Sequence, residues 1–391
     1  MTGTLEQNLA QAPGRPRLIA PVHWLVSPRV DLCWILGSVA VAYLMFTAWQ
    51  LGWASPAVLT AVWIFGFHGP HFWGTVSRTY LDSEERRKRG RLLSGSLLWF
   101  LLGPIMVGAS LLLEPVTGSR GIEMLFLMFA AVWAYHHVVK QHFGFMALYR
   151  AKAQEFGRGE FLFHKWYLIV SLWLPAVIVL ANNHHWLLGI PWLHSLRAWL
   201  GDSFIIAAGA NTALVCTAGF VVLQVLFATH LIWRAARGRG VNLAETLLVL
   251  ASVPLHWFVL ASLFEASPNA LDNFMFVPIL TIYHNIQYHG LIWHYNTRRY
   301  RIDPNPGRHG LAVPLNRTLL RYAICGVLFA VIASGLGHYT SALFTRPWAP
   351  LFVGLTWGFA FVHYYLDSKI WHVRQDKNLR SALGFPEPST P

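Results

Sequence analysis

Residues 121–149 read GIEMLFLMFAAVWAYHHVVKQHFGFMALY, and only Glu123 and Lys140 in that stretch carry charge. About 20 mostly apolar residues in helical form cross the hydrocarbon core of a bilayer, so this run reads as a spanning helix. Nine further stretches have the same character. Together they place helices near 31–54, 56–78, 92–113, 121–149, 161–182, 204–233, 242–264, 272–296, 315–337 and 347–372. The sequence therefore predicts an all-α, polytopic bundle of about ten transmembrane helices.

The composition agrees. Of 391 residues, 55% are hydrophobic and 12% charged, whereas soluble domains carry roughly 25% charge. Mean hydropathy is +0.43. Cys33, Cys216 and Cys325 all sit in apolar runs, which excludes a disulfide scaffold. The first thirty residues lack the basic, apolar and small-residue order of a secretory signal, so the first apolar run reads as a retained helix. Three segments follow: a cytoplasmic N-terminal stretch 1–30, a single transmembrane domain 31–373, and a cytoplasmic tail 374–391, partly disordered at its Pro-rich end.

A formal charge of +13 would suggest nucleic acid for a soluble protein, but here its location decides its meaning. Lysine and arginine stay on the cytoplasmic side during insertion. With both termini cytoplasmic, all 30 basic residues fall on that side except Arg120, Arg197 and Arg346 outside and Lys140 within a helix. The run from Arg86 to Arg91 is thus an orientation signal beside anionic headgroups, and no nucleic-acid partner is expected. A bacterial-type inner membrane is the expected location.

Nineteen histidines are the second unusual feature. Ionisable groups are expensive inside a bilayer and face a cavity, a partner or an ion. His68 and His71 lie near the end of the second stretch, and His136, His137 and His142 late in the fourth. His284 and His289 lie late in the eighth, while His363 and Asp367 close the tenth. All four helices run toward the cytoplasm in this orientation. Four distant segments therefore deliver imidazole or carboxylate to one leaflet.

Spacing refines the set. His68 with His71 (i,i+3) and His363 with Asp367 (i,i+4) each share a helical face. His137 with His142 and His284 with His289 are i,i+5 pairs, turned about 140° apart at 3.6 residues per turn. Both members cannot point inward from a regular helix, so a π-bulge, a helix end or a supporting role for one of each pair is needed. The candidate metal ligands are His68, His71, His137, His142, His284, His289, His363 and Asp367. His136, Lys140, Gln141, Tyr283, Tyr288 and Tyr364 are candidates for supporting or substrate contacts. His164, His230, His256 and His338 read as structural or interfacial. Imidazole suits iron, zinc and copper, and a carboxylate in the set tilts the choice toward iron, as one or two ions.

An N/O-rich centre of this kind near a membrane face resembles the polyhistidine sites of integral-membrane non-haem iron enzymes: alkane hydroxylases, lipid desaturases and carotenoid oxygenases. The HxxxH and HxxHH boxes of desaturases are absent. The segments His68-Gly69-Pro70-His71 and His142-Phe143-Gly144 are similar to the His-Gly and His-Phe-Gly motifs of Brp/Blh-type carotene dioxygenases. That resemblance implies His68 and His142 as ligands, with His71 departing from the pattern, and it covers less than a tenth of the chain.

The expectation is a metal-dependent, O2-using oxidoreductase acting on a hydrophobic lipid or polyene; a hydroxylase or desaturase would need an electron donor, docking on the basic cytoplasmic face, and a dioxygenase would not. No GxSxG elbow, P-loop, CxxC or HExxH motif points elsewhere. Three alternatives stay open from sequence: a b-type haem protein, a proton-coupled transporter using His136, His137, Lys140, His289 and Asp367, and a scaffold subunit whose histidines only bridge helices.

Overall fold

The computed structural model describes residues 19–183, 194–264, 275–301, 303, 305–343 and 349–386. Arg15, Arg17, His184, His185, Arg346 and the end of the Pro-rich tail lie outside these residues, as does the side chain of His338. The described chain is all-helical, its only β pairing being an isolated bridge between Ile19 and Val241.

The sequence punctuates the helices. Ser27 Oγ accepts the Val30 N–H at the start of α1 (Pro28–Leu36), which bends by 41° into α2 (Val39–Gln50). Ser55 caps α3 (Pro56–Trp63) in the same way, with Pro56 in the first turn, where a missing N–H costs nothing. A π-helical turn, Ile64–His68, joins α3 to α4 (Gly69–Thr79). Asp82 Oδ1 accepts the Glu84 and Glu85 amides and starts α5 (Ser83–Ser96), which leads into α6 (Trp99–Thr117). Gly118, at φ +65°, ends α6 in the left-handed conformation that glycine adopts without strain. The bundle continues with α7 (Gly121–Lys152), α8 (Arg158–Asn182) and α9 (Asp202–Ala236). Then come α10 (Leu243–Trp257), α11 (Phe276–Asn296), α12 (Leu319–Leu343), α13 (Ala349–Ile370) and the short α14 (Lys377–Ala382).

Each of the ten apolar stretches falls mainly on helix where it is described, yet among the described residues only five helices are long and apolar enough to cross a membrane, or six if α1 and α2 form one bent span. The second stretch is broken by its π-helical turn, and α11 falls short for a physical reason of its own. Helix α11 buries His284, Asn285, Gln287, His289 and Asn296 together with Tyr283, Tyr288 and Tyr295. A helix buried on all sides belongs at the centre of a bundle, and two of its amide side chains reach neighbours: Gln287 donates to the Ile35 carbonyl (2.9 Å) and Asn296 to Asn316 (2.8 Å). By contrast, α9 buries only Ile205, Gly209, Phe227 and Arg234. It is an apolar outer wall.

Small residues let the site-bearing helices approach closely. A Cβ on Gly354 of α13 would stand 2.8 Å from the Gly103 carbonyl carbon of α6, and a Cβ on Gly74 of α4 would stand 2.9 Å from the Tyr288 ring of α11. At the end of the bundle that carries the basic loops, buried ion pairs tie the helices together. Arg299 donates to Asp82 (2.9 Å) and Glu85 (3.2 Å), while Arg89 donates to Asp376. Burial works against ionisation of Asp376, but the Leu379 amide and the charges of Lys88 and Arg89 outweigh it and hold its pKa below the usual carboxylate value.

Candidate metal centre

Helices α4, α7, α11 and α13 bring four imidazoles into one buried cluster. His71 Nε2 lies 2.8 Å from His363 Nε2, which lies 3.0 Å from His137 Nε2. The His284 ring centroid is 4.7 Å from that of His71 and 5.0 Å from that of His137. One donor atom each from His71, His137 and His284 lie within 4.8 Å of one another, as do one each from His137, His363 and Asp367. The two triads share His137. They belong to one centre.

The arrangement fits a metal better than it fits itself. His363 Nε2 faces two other ring nitrogens, and a neutral imidazole offers one N–H and one lone pair, so its single Nε2 cannot satisfy both neighbours. Donors held 2.0–2.1 Å from one ion stand roughly 3 Å apart, close to the separations here. His71 Nδ1 and His284 Nδ1 are buried without a hydrogen-bond partner.

Behind His363 stands the polar support that ligating histidines generally require. Its Nδ1 lies 2.7 Å from Thr75 Oγ1, which donates to Asp367 Oδ1 (3.1 Å); Tyr288 donates to the same oxygen (2.9 Å) and lies 2.6 Å from Thr75 Oγ1. With Nε2 committed to an ion, Nδ1–H donates to Thr75, and the carboxylate terminates the chain. Asp367 Oδ1 is 3.7 Å from His363 Nδ1, so it backs that ligand while remaining near the donors. Thr75 was absent from the sequence-based set. The signal for it was present: it lies four residues beyond His71, on the same face of the helix. Thr75→Val keeps the shape and removes the relay, and it is expected to weaken metal binding roughly 10–100-fold, measured by competition with a chelator in the purified protein. Unchanged affinity would remove Thr75 from the centre.

The other named residues are placed as follows. His68 ends the π-helical turn, and its ring stacks on Trp63 (4.3 Å) and meets the edge of Phe72 (4.7 Å). His289 faces the Tyr322 hydroxyl (2.9 Å) and the Phe67 carbonyl (3.1 Å). His142 is separated from His137 as the 140° turn requires: it stacks on Tyr283 (5.3 Å) beside His256 (5.4 Å). Tyr364 stacks on His137 (4.5 Å), and Gln141 donates to the His284 carbonyl (2.8 Å) and to Gln287 (3.2 Å). His136 and Lys140 are exposed on the outer surface of α7, away from the buried cluster.

Beside His363 opens an apolar cleft of about 280 Å³, lined by Phe72, Thr75, Phe100, Phe329 and Phe359 from α4, α6, α12 and α13. Compared with protein-family models, with curated proteins and with solved structures, the chain matches none.

Proposed function

We propose that the protein is a multi-pass membrane oxidoreductase that holds one or two iron ions and acts with O2 on a hydrophobic lipid or polyene. The observation that carries this reading is the convergence of His71, His137 and His363 through Nε2 atoms 2.8 and 3.0 Å apart, joined by His284 and Asp367. A bundle that only needed helix bridges has no reason to point three ring nitrogens at one spot. The edge-to-edge placement of these nitrogens also leaves no gap for a porphyrin between two axial ligands.

His71, His137, His284 and His363 would hold the metal, with Asp367 as a further donor or as the base behind His363. Iron held there supplies the means to bind and activate O2. The chain supplies the rest. Thr75 and Tyr288 fix the His363 ring and its tautomer through Asp367. The phenyl rings of the neighbouring cleft exclude water and suit an apolar chain or polyene that arrives from the lipid, placing it against the His363 side of the cluster. In this reading the ten helical stretches all serve as spans of a bacterial-type inner membrane with both termini cytoplasmic, and the basic face of Arg86–Arg91 receives an electron donor if the reaction needs one.

Metal analysis and an optical spectrum of detergent-purified protein test the proposal. Iron at one to two equivalents per chain without a Soret band, and O2 consumption that depends on an added polyene or lipid, is the expected result. Protein purified without chelator that carries no transition metal would overturn it.

A further inference from the structure

A second group of ligand-type side chains lies where the ends of α7 to α10 meet, outside the histidine centre. We propose that Glu160, His164 and His230 bind one divalent transition-metal ion of the zinc type, which pins α8 to α9 at the basic end of the bundle. This site is independent of the reading given above.

One donor atom from each of the three lies within 4.8 Å of the others. His164 is 3% exposed, and its Nδ1 stands 2.6 Å from Glu245 Oε1, itself buried. In the neutral ring, a carboxylate at that distance keeps the proton on Nδ1 and leaves Nε2 as a lone pair. That Nε2 is buried with no hydrogen-bond partner. The arrangement is the carboxylate–histidine pair that orients and strengthens a metal ligand. The ring of His230 meets that of His164 edge-on (5.0 Å, 79°); its Nε2 likewise has no hydrogen-bond partner and lies 3.4 Å from Glu160 Oε1. Two nitrogens and one carboxylate oxygen make a set that zinc and its neighbours favour.

Charge points the same way. The network holds three carboxylates, Glu155, Glu160 and Glu245, against two guanidinium groups. Arg150 reaches Glu155 and Glu245 (3.1 Å each) and Glu160 (3.9 Å), while Arg234 reaches Glu155 (2.7 Å) and Glu160. With neutral imidazoles the cluster carries one surplus negative charge at a largely buried position, which is costly without a cation. The arginines also fix the Glu160 carboxyl, so the ion meets a prepared ligand. From sequence, His164 and His230 read as structural; their meeting depends on α8 and α9 packing as a pair.

The test uses full-length protein in detergent, stripped with chelator and titrated with Zn2+, and with Co2+ as an optical probe. Wild type is expected to bind one more equivalent of Zn2+ than His230→Gln or Glu160→Gln. His363→Ala is expected to keep that equivalent, together with a zinc-dependent rise in melting temperature and visible Co2+ absorption. Loss of the histidine centre and loss of this site are thus read separately. Equal stoichiometry in wild type and His230→Gln would overturn the proposal. Should that variant fail to fold, the His363→Ala protein still decides: no zinc-dependent shift and no Co2+ absorption there would equally overturn it.

Discussion

Replacing His363 by alanine is expected to empty the histidine centre. His363 is its hub: Nε2 faces both His71 and His137, and Nδ1 connects the cluster to Thr75, Asp367 and Tyr288. Removing a ring that supports a metal ligand costs roughly 10–100-fold in affinity, and removal of a ligand should exceed that. The iron content of the purified protein should therefore fall below a tenth of the wild-type value, and O2 consumption should fall with it. His289→Ala is the control, because its ring nitrogens already face Tyr322 and the Phe67 carbonyl. Iron analysis and circular dichroism of both variants check this. Retention of iron in a helical His363→Ala protein would dismiss the centre.

Asp82→Ala is expected to produce the largest loss of stability. The Asp82 carboxylate is fully buried and does two things at once. Oδ1 caps α5 by accepting the Glu84 and Glu85 amides, and Oδ2 accepts Arg299 (2.9 Å) and the Tyr300 hydroxyl (3.3 Å). His309 Nδ1 lies 3.3 Å from the same carboxylate. Loss of a cap costs about 1 kcal/mol, and breaking a buried pair from one side about 3–5 kcal/mol, because the remaining charge is stranded. Glu85 still faces Arg299, so the combined loss should sit near the lower end of that range. A thermal melt in detergent should show a clear drop for Asp82→Ala and a smaller one for Asp82→Asn, which keeps an oxygen for the cap. Identical melts for all three proteins would show that the clamp carries no stability.

The helices were legible because long apolar runs have few other uses, and the meeting of α4, α7, α11 and α13 was legible from histidines at matching depth. Burial on all sides was not. Helix α11 reads as less apolar than a usual span because its polar residues face neighbouring helices, and those neighbours are made from remote sequence. The i,i+5 pairs divided as helix geometry demands: His137 and His284 join the cluster, while His142 and His289 turn toward other partners. What spacing could not give was which member of each pair turns inward. His68 and His71 share a face by counting, yet His68 closes the π-helical turn and its ring stacks on Trp63. At His164 the i,i+4 spacing of Glu160 and His164 marks a shared face, but which helix ends meet there and at Asp82 depends on packing that no spacing along one helix encodes.

The enclosure of α11 bears on the order in which the chain can be built. While the ribosome is still making α12 and α13, the emerging α11 segment presents Asn285, Gln287 and several imidazoles to whatever surrounds it, and acyl chains are a poor host for such groups. Most of its enclosure is already made by then: α11 packs chiefly on α1, α2 and α4, and Gln287 meets the Ile35 carbonyl and Gln141, while Tyr288 and His289 wait for Asp367 and Tyr322. A chain truncated before Ala349 should accordingly still insert α11, leaving the Tyr288 hydroxyl without Asp367 and the His71 and His137 rings without His363.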